Sequence, residues 1–158
     1  MNYVGIDNGV SGTIGIVGLL TYFTRTPVKS EQNYTKKKGN ITRVDVVSLR
    51  KLLDVPVQKV LIERPFVNPK MFQASLSAIR AMEATIGVLE SLNIPFEYID
   101  SKEWQKELLP KGTKGTPDLK KASMDIGCRL FPQFRDLIVK HGDADGLLIA
   151  EYCRIKNR

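Results

Sequence analysis

Cysteine, histidine and tryptophan are scarce in this chain, with two, one and one copies among 158 residues. Cys128 and Cys153 lie in helical patterns with no CxxC and no Cys/His spacing. That excludes a disulfide-stapled scaffold and a zinc site, and leaves two free thiols of a reducing compartment. No apolar run approaches the roughly 18 residues of a membrane-spanning helix, and the chain opens directly into a strand pattern without a charged, apolar, small-residue leader. Repeats and composition-shifted linkers are also missing, so residues 1–158 read as a single domain of a cytoplasmic protein.

What the chain has in excess is positive charge. Lysine and arginine number 24 against 17 acids, a net +7, which favours a polyanionic partner such as nucleic acid. The 42% hydrophobic content is ample for one packed core, so the lysines do not signal disorder.

The N-terminal stretch organises the rest. Tyr3, Val4 and Ile6 form an apolar strand that runs into Asp7. A turn with Gly9, Ser11 and Gly12 leads to a second strand, Thr13 to Val17. A carboxylate at a strand end either bonds the turn amides or is paired with a cation, because leaving water unpaired costs it several kcal/mol or more. Two protein classes use such a hairpin: nucleases that hold metal on the aspartate, and two-lobed kinases and ATPases that cradle phosphate on the glycine turn. At 158 residues the chain has room for one lobe, which favours the nuclease.

Further along, Leu20–Thr26 alternates as a third strand, and 28–40, with Lys36, Lys37 and Lys38, reads as an exposed loop. Thr42, with Asp45 three residues on, predicts a helix N-cap ahead of Val44, Val47, Leu49 and Leu53. After Pro56 a buried strand, Val57–Ile62, also ends on an acid, Glu63. A helical crossover implies parallel pairing, which brings Asp7 and Glu63 to one edge, where like charges repel unless a cation separates them. Leu76, Ile79, Met82, Ile86 and Leu89 mark the apolar face of a long helix, accompanied by small residues from Ala74 to Gly87 that suit either a dimer contact or the chain's own sheet. Phe72, at its entry, reads as core or as an aromatic wedge for an unpaired base. Pro95–Ile99 is the fifth strand, Asp100 or Ser101 caps a short helix carrying Trp104 as a core anchor, and Pro117 opens another helix that stops before Pro132.

Lys140–Tyr152 reads as the start of a terminal helix crowded with His141, Asp143 and Asp145. Its dipole accommodates one carboxylate easily, but two acids and a histidine point to a site.

Asp7 within GIDNGVSG, Glu63 closing VLIER, the LFP at 130–132 and HGDADGLLIAEY at 141–152 resemble the RuvC family of Holliday junction resolvases, with the tail most similar to its phage and chloroplast branch. The resemblance implies an α/β, ribonuclease-H-like fold, a mixed five-stranded sheet flanked by helices. It implies a homodimer that resolves four-way DNA junctions by paired symmetric cuts with Mg2+, or Mn2+ as a substitute, two ions per active site. The setting it implies is a bacterial or phage-infected cell or an organelle matrix, without a membrane. Asp7, Glu63 and Asp145 match the family's first, second and last acids. For the remaining catalytic and metal position, relatives place an acid where this chain has Lys140, or an acid or histidine where it has Gly142, leaving His141 and Asp143. On a helix that already includes His141, that residue shares the face of Asp145, and Asp143 points elsewhere. Arg64, Lys70, Phe72, Lys102, Lys106, Lys111, Lys114, Lys120 and Lys121 are the candidate DNA contacts. The alternatives are a less selective flap or RNA-hybrid nuclease, and a junction-binding protein that does not cleave.

Overall fold

The computed structural model describes residues 1–157. Five strands build a mixed sheet: β1 (Asn2–Ile6), β2 (Thr13–Gly18), β3 (Tyr22–Arg25), β6 (Val57–Glu63) and β7 (Phe96–Ile99), in the order β3-β2-β1-β6-β7. The first three form an antiparallel meander, and β6 and β7 join in parallel. In the parallel register Ile6 stands beside Ile62. Asp7 and Glu63 therefore follow at the same sheet edge.

Alternation along the strands divides the core. Val4, Ile6, Ile14, Ile16, Val60 and Ile62 pack towards α1 (Val46–Leu53) and α2 (Phe72–Ser91), while Val17 and Leu61 face α3 (Ser101–Leu108), α4 (Thr116–Leu130), α5 (Arg135–His141) and α6 (Asp145–Lys156). On that second face β1 and β2 present Gly5 and Gly15, where an added Cβ would run into the backbone of α6. A methyl on Gly146 would in turn meet the Thr13 carbonyl at 2.6 Å. Bare backbone on both partners is what lets α6 lie directly on the hairpin and carry its first turn to Asp7. No helix among the described residues is long and apolar enough to cross a membrane.

The structure corrects four local expectations. Part of the supposed loop 28–40 is β4 (Val28–Gln32), paired with β5 (Asn40–Val44). Its side chains are polar because the hairpin stands largely in solvent, so it carries no apolar alternation. Thr42 belongs to β5, opposite Ser30, and Asp45 caps α1 by accepting from the Val47 and Ser48 amides. Along α2 the inward face is Ser75, Ala81, Met82, Thr85, Val88 and Leu89, whereas Ile79 is 41% exposed. Of the small-residue stripe, Ser75 and Ala81 are buried in the chain's own core, whereas Ala74 and Gly87 are exposed. Finally, the terminal helix does not begin at His141: α5 ends there, Gly142 turns left-handed at φ 67°, and α6 starts at Asp145. A glycine in that conformation is a helix C-cap.

Candidate active site

The site assembles from the ends of separate elements. Asp7 leaves β1 with its amide donating to the Thr13 carbonyl at 3.0 Å. Asp143 comes from the short turn between α5 and α6 and Asp145 opens α6, and carboxylate oxygens of Asp7, Asp143 and Asp145 lie within 4.8 Å of one another. The reversal at Gly142 places Asp143 in this group. One of its oxygens accepts from the Asp145 amide at 2.6 Å and from the Thr13 hydroxyl at 3.3 Å, while Thr13 also accepts from the Gly146 amide at 3.0 Å. The first amides of α6 have no partner within the helix, and they favour negative charge here.

Hydroxyls orient the other acids. Ser101, at the start of α3, donates to Glu63, and Ser123 on α4 donates to Asp145. Lys120, one helical turn before Ser123, places its Nζ 2.5 Å from Asp143 and 3.7 Å from Asp145. Burial pushes the Asp7 carboxyl well above its usual range, and the charges of Asp143, Glu63 and Asp145 push it further. Asp145 is raised by burial and then by Asp143. Burial also raises Glu63, against the Ser101 hydrogen bond and a weaker pull from the Trp104 indole, whose N–H makes no hydrogen bond of good geometry. For Lys120, burial acts downward but the Asp143 bond and the surrounding acids outweigh it, so its net displacement is upward.

Crowded oxygen donors without sulfur or imidazole suit a hard divalent cation such as Mg2+. The ammonium of Lys120 already seats one positive charge among them, so the residues present fit a metal centre.

His141 lies elsewhere. It ends α5, accepts from Arg25 Nε at 3.1 Å and packs edge-on against Phe23 at 5.6 Å. The helix phase that ranked it above Asp143 does not exist, because the chain turns between them.

Of the candidate DNA contacts, Lys120 is in the acid cluster, and Arg64 pairs with Asp100 at 2.9 Å beneath Tyr98. Lys102, Lys106 and Lys111 line a cleft of about 360 Å³ along α3, and Lys70, Lys114 and Lys121 are exposed. Phe72 is 65% exposed, which removes the core reading, and Phe66 is 79% exposed. Phe66 lines a cleft of about 300 Å³ with Asp7, Asn8, Glu63 and Ser101. Sequence reasoning missed Phe66, Thr13, Ser101 and Ser123. Phe66 stands three residues beyond Glu63 and Ser123 three beyond Lys120, spacings that signal a common location only once the acids are known to converge.

No protein-family model matches the chain, and no curated protein matches it in sequence. Solved structures do. T. thermophilus RuvC in complex with Holliday junction substrate matches over 98% of this chain and 96% of that one, with a TM-score of 0.63 and 14% identity. The Thermus thermophilus RuvC structure matches over 99% and 97%, with a TM-score of 0.55 and again 14% identity. Agreement of backbone along nearly the full length of both chains, at so low an identity, shows that this chain has the ribonuclease-H-like α/β fold of the RuvC structures.

Proposed function

We propose that this chain is one nuclease domain, a metal-dependent endonuclease of the phage and chloroplast-type branch of RuvC resolvases. It resolves four-way DNA junctions by paired, symmetric phosphodiester hydrolysis. The observation that carries the reading is the meeting of Asp7, Asp143 and Asp145 within 4.8 Å, with Glu63 at the same sheet edge. Partly buried carboxylates held together oppose folding unless cations come between them, and a protein that only bound junctions would have no need of them.

Asp7, Glu63, Asp143 and Asp145 would hold two Mg2+ ions, or Mn2+ in their place. Bound there, such ions make the attacking water acidic and stabilise the leaving 3′-oxygen. The chain's own groups prepare the site. Thr13, Ser101 and Ser123 aim the carboxylates. Lysines along α3 and at 70, 114 and 121 contact phosphates without reading sequence, which gives steep salt dependence. Phe66, on the cleft that Asp7 and Glu63 line, and Phe72, at the start of α2, present exposed rings suited to stacking on bases unpaired at a branch point.

Two symmetric cuts need two sites facing one junction, which a two-fold dimer supplies. An open apolar groove of about 430 Å³ between α1 and α2, lined by Val46, Val47, Ala84 and Gly87, offers a surface for it. This activity belongs in a bacterial or phage-infected cytoplasm or an organelle matrix.

The test is incubation of the purified protein with labelled four-way junction, flap, duplex and RNA–DNA hybrid, in Mg2+, Mn2+ or EDTA. Paired nicks at symmetric positions in the junction alone, abolished by EDTA, support the proposal. Equal cutting of flap or hybrid indicates a less selective nuclease, and junction binding without cleavage in either metal indicates a non-cutting protein.

A further inference from the structure

Lys120 is the only cationic side chain drawn into the acid cluster among the described residues, and it bonds to the oxygens a metal would use. Its Nζ lies 2.5 Å from Asp143 and 3.7 Å from Asp145, and the stem that carries it is about half exposed. Asp143 itself is buried, so these oxygens are reached through a narrow share of surface. An ammonium and a divalent ion cannot occupy that position together, because like charges repel at such distances. The lysine stem is flexible and its exposed side leads outward, so the ammonium has somewhere to go.

We infer that Lys120 and the divalent cation compete for Asp143 and Asp145, and that the displaced lysine is passed to a phosphate of bound DNA. This rests on reading the acids as metal ligands. Two consequences follow from linkage. The lysine lowers the cation affinity of the protein alone. DNA, by drawing the ammonium onto its backbone, restores that affinity, and the cation by the same factor tightens DNA binding, since coupling between two sites is reciprocal. One side chain thus makes the site bind metal well only when substrate is present.

The probe is Ca2+, a hard cation with the same preference for oxygen, titrated calorimetrically against wild-type protein, Lys120→Met and Lys140→Met. Lys140 is exposed and lies three residues before Asp143, and it makes no ion pair among the described residues, so its replacement removes equal charge nearby without removing the contact. Lys120→Met should bind Ca2+ roughly 5- to 100-fold more tightly than wild type, the usual range of coupling between sites, with Lys140→Met within about twofold. A four-way junction, checked intact on a denaturing gel, should tighten Ca2+ binding to wild type and do so much less for Lys120→Met. Equal Ca2+ affinity in wild type and Lys120→Met, or equal gains in both Lys→Met variants, overturns the inference. Asp145→Asn tests the underlying reading separately. If it binds Ca2+ as wild type does, the metal site fails, whereas its loss of binding alongside an unchanged Lys120→Met overturns only the competition. Should Lys120→Met fold poorly, the side-chain NMR signals of Lys120 in wild-type protein decide: they should move with the Ca2+ binding curve, and signals that stay fixed at saturation refute the displacement.

Discussion

Replacing Asp7 by asparagine should make the protein more stable while removing its activity. Asp7 shares a space of 4.8 Å with Asp143 and Asp145, and the one ammonium there, that of Lys120, offsets one of those two charges. Within that space Asp7 therefore faces about one uncompensated negative charge, and Glu63 at the neighbouring strand end adds to the repulsion. At an effective dielectric near 20 a unit pair at that separation repels by about 3 to 4 kcal/mol. Protonation and side-chain adjustment relieve part of it, leaving a gain of roughly 1 to 3 kcal/mol for an uncharged isostere. For a chain of this size that corresponds to a rise in Tm of roughly 2 to 10 °C.

The pH dependence follows from the direction of the shift. Asp7 in the folded protein holds its proton above the ordinary value of 3.8, so between that value and the raised one the folded state binds more protons than the unfolded. Stability then falls as pH rises through the window. The advantage of Asp7→Asn should vanish near pH 4, where the native carboxyl is protonated too, and be complete above the window. Thermal unfolding in EDTA from pH 4 to 8.5 measures it. Mg2+ should raise the Tm of the wild type and have little effect on Asp7→Asn. A variant no more stable than wild type at pH 8, or a gain that is the same at both ends of the range, would refute the electrostatic account.

Asp143→Asn should reduce cleavage at least about 100-fold, beyond what groups outside the metal's own ligands are worth, while His141→Ala stays within about twofold as a substitution away from the chemistry; single-turnover kinetics compare them. The reverse order would put His141 in the site despite its contacts with Arg25 and Phe23. Phe66→Ala and Phe72→Ala should each weaken stacking at the branch by about 1 to 3 kcal/mol per base and leave duplex binding nearly unchanged, read by 2-aminopurine fluorescence at the crossover. Unaltered fluorescence in both variants removes the wedge. For assembly, Val47→Glu, in the groove between α1 and α2 and 58% exposed, should yield a folded monomer by sedimentation, whereas Ala81→Arg should unfold the protein because Ala81 is 2% exposed; a folded Ala81→Arg contradicts the burial. Gly15→Ala should cost about 1 to 3 kcal/mol as an overpacking change and depress cleavage, since α6 must lift from the hairpin that carries Asp7. Full activity at unchanged Tm would show that the close approach is dispensable.

Local pattern settled much of this architecture without coordinates. Apolar runs ending on Asp7 and Glu63, with a helix between, determined that two parallel strands release their acids at one edge, because a crossover connection leaves few topologies. The glycine turn after Asp7 and the carboxylates near residue 145 were equally plain, since turn chemistry and charge are written residue by residue. Periodicity, however, carries phase only within one element. His141 and Asp145 share a face only on an unbroken helix, and whether Gly142 continues a helix or ends one in the left-handed region depends on how α5 and α6 pack around it. The same limit hid the inward face of α2, which keeps Met82 and Leu89 of the apolar stripe, takes in Ser75 and Ala81 from the small-residue one, and leaves Ile79 outside. It also hid β4 and β5, whose polar strands pair in solvent, and left Phe72 undecided between core and rim. Lys120 is the sharpest case: on its helix it is one more exposed lysine, and only the folding of α4 against the turn before α6 places its ammonium among the acids.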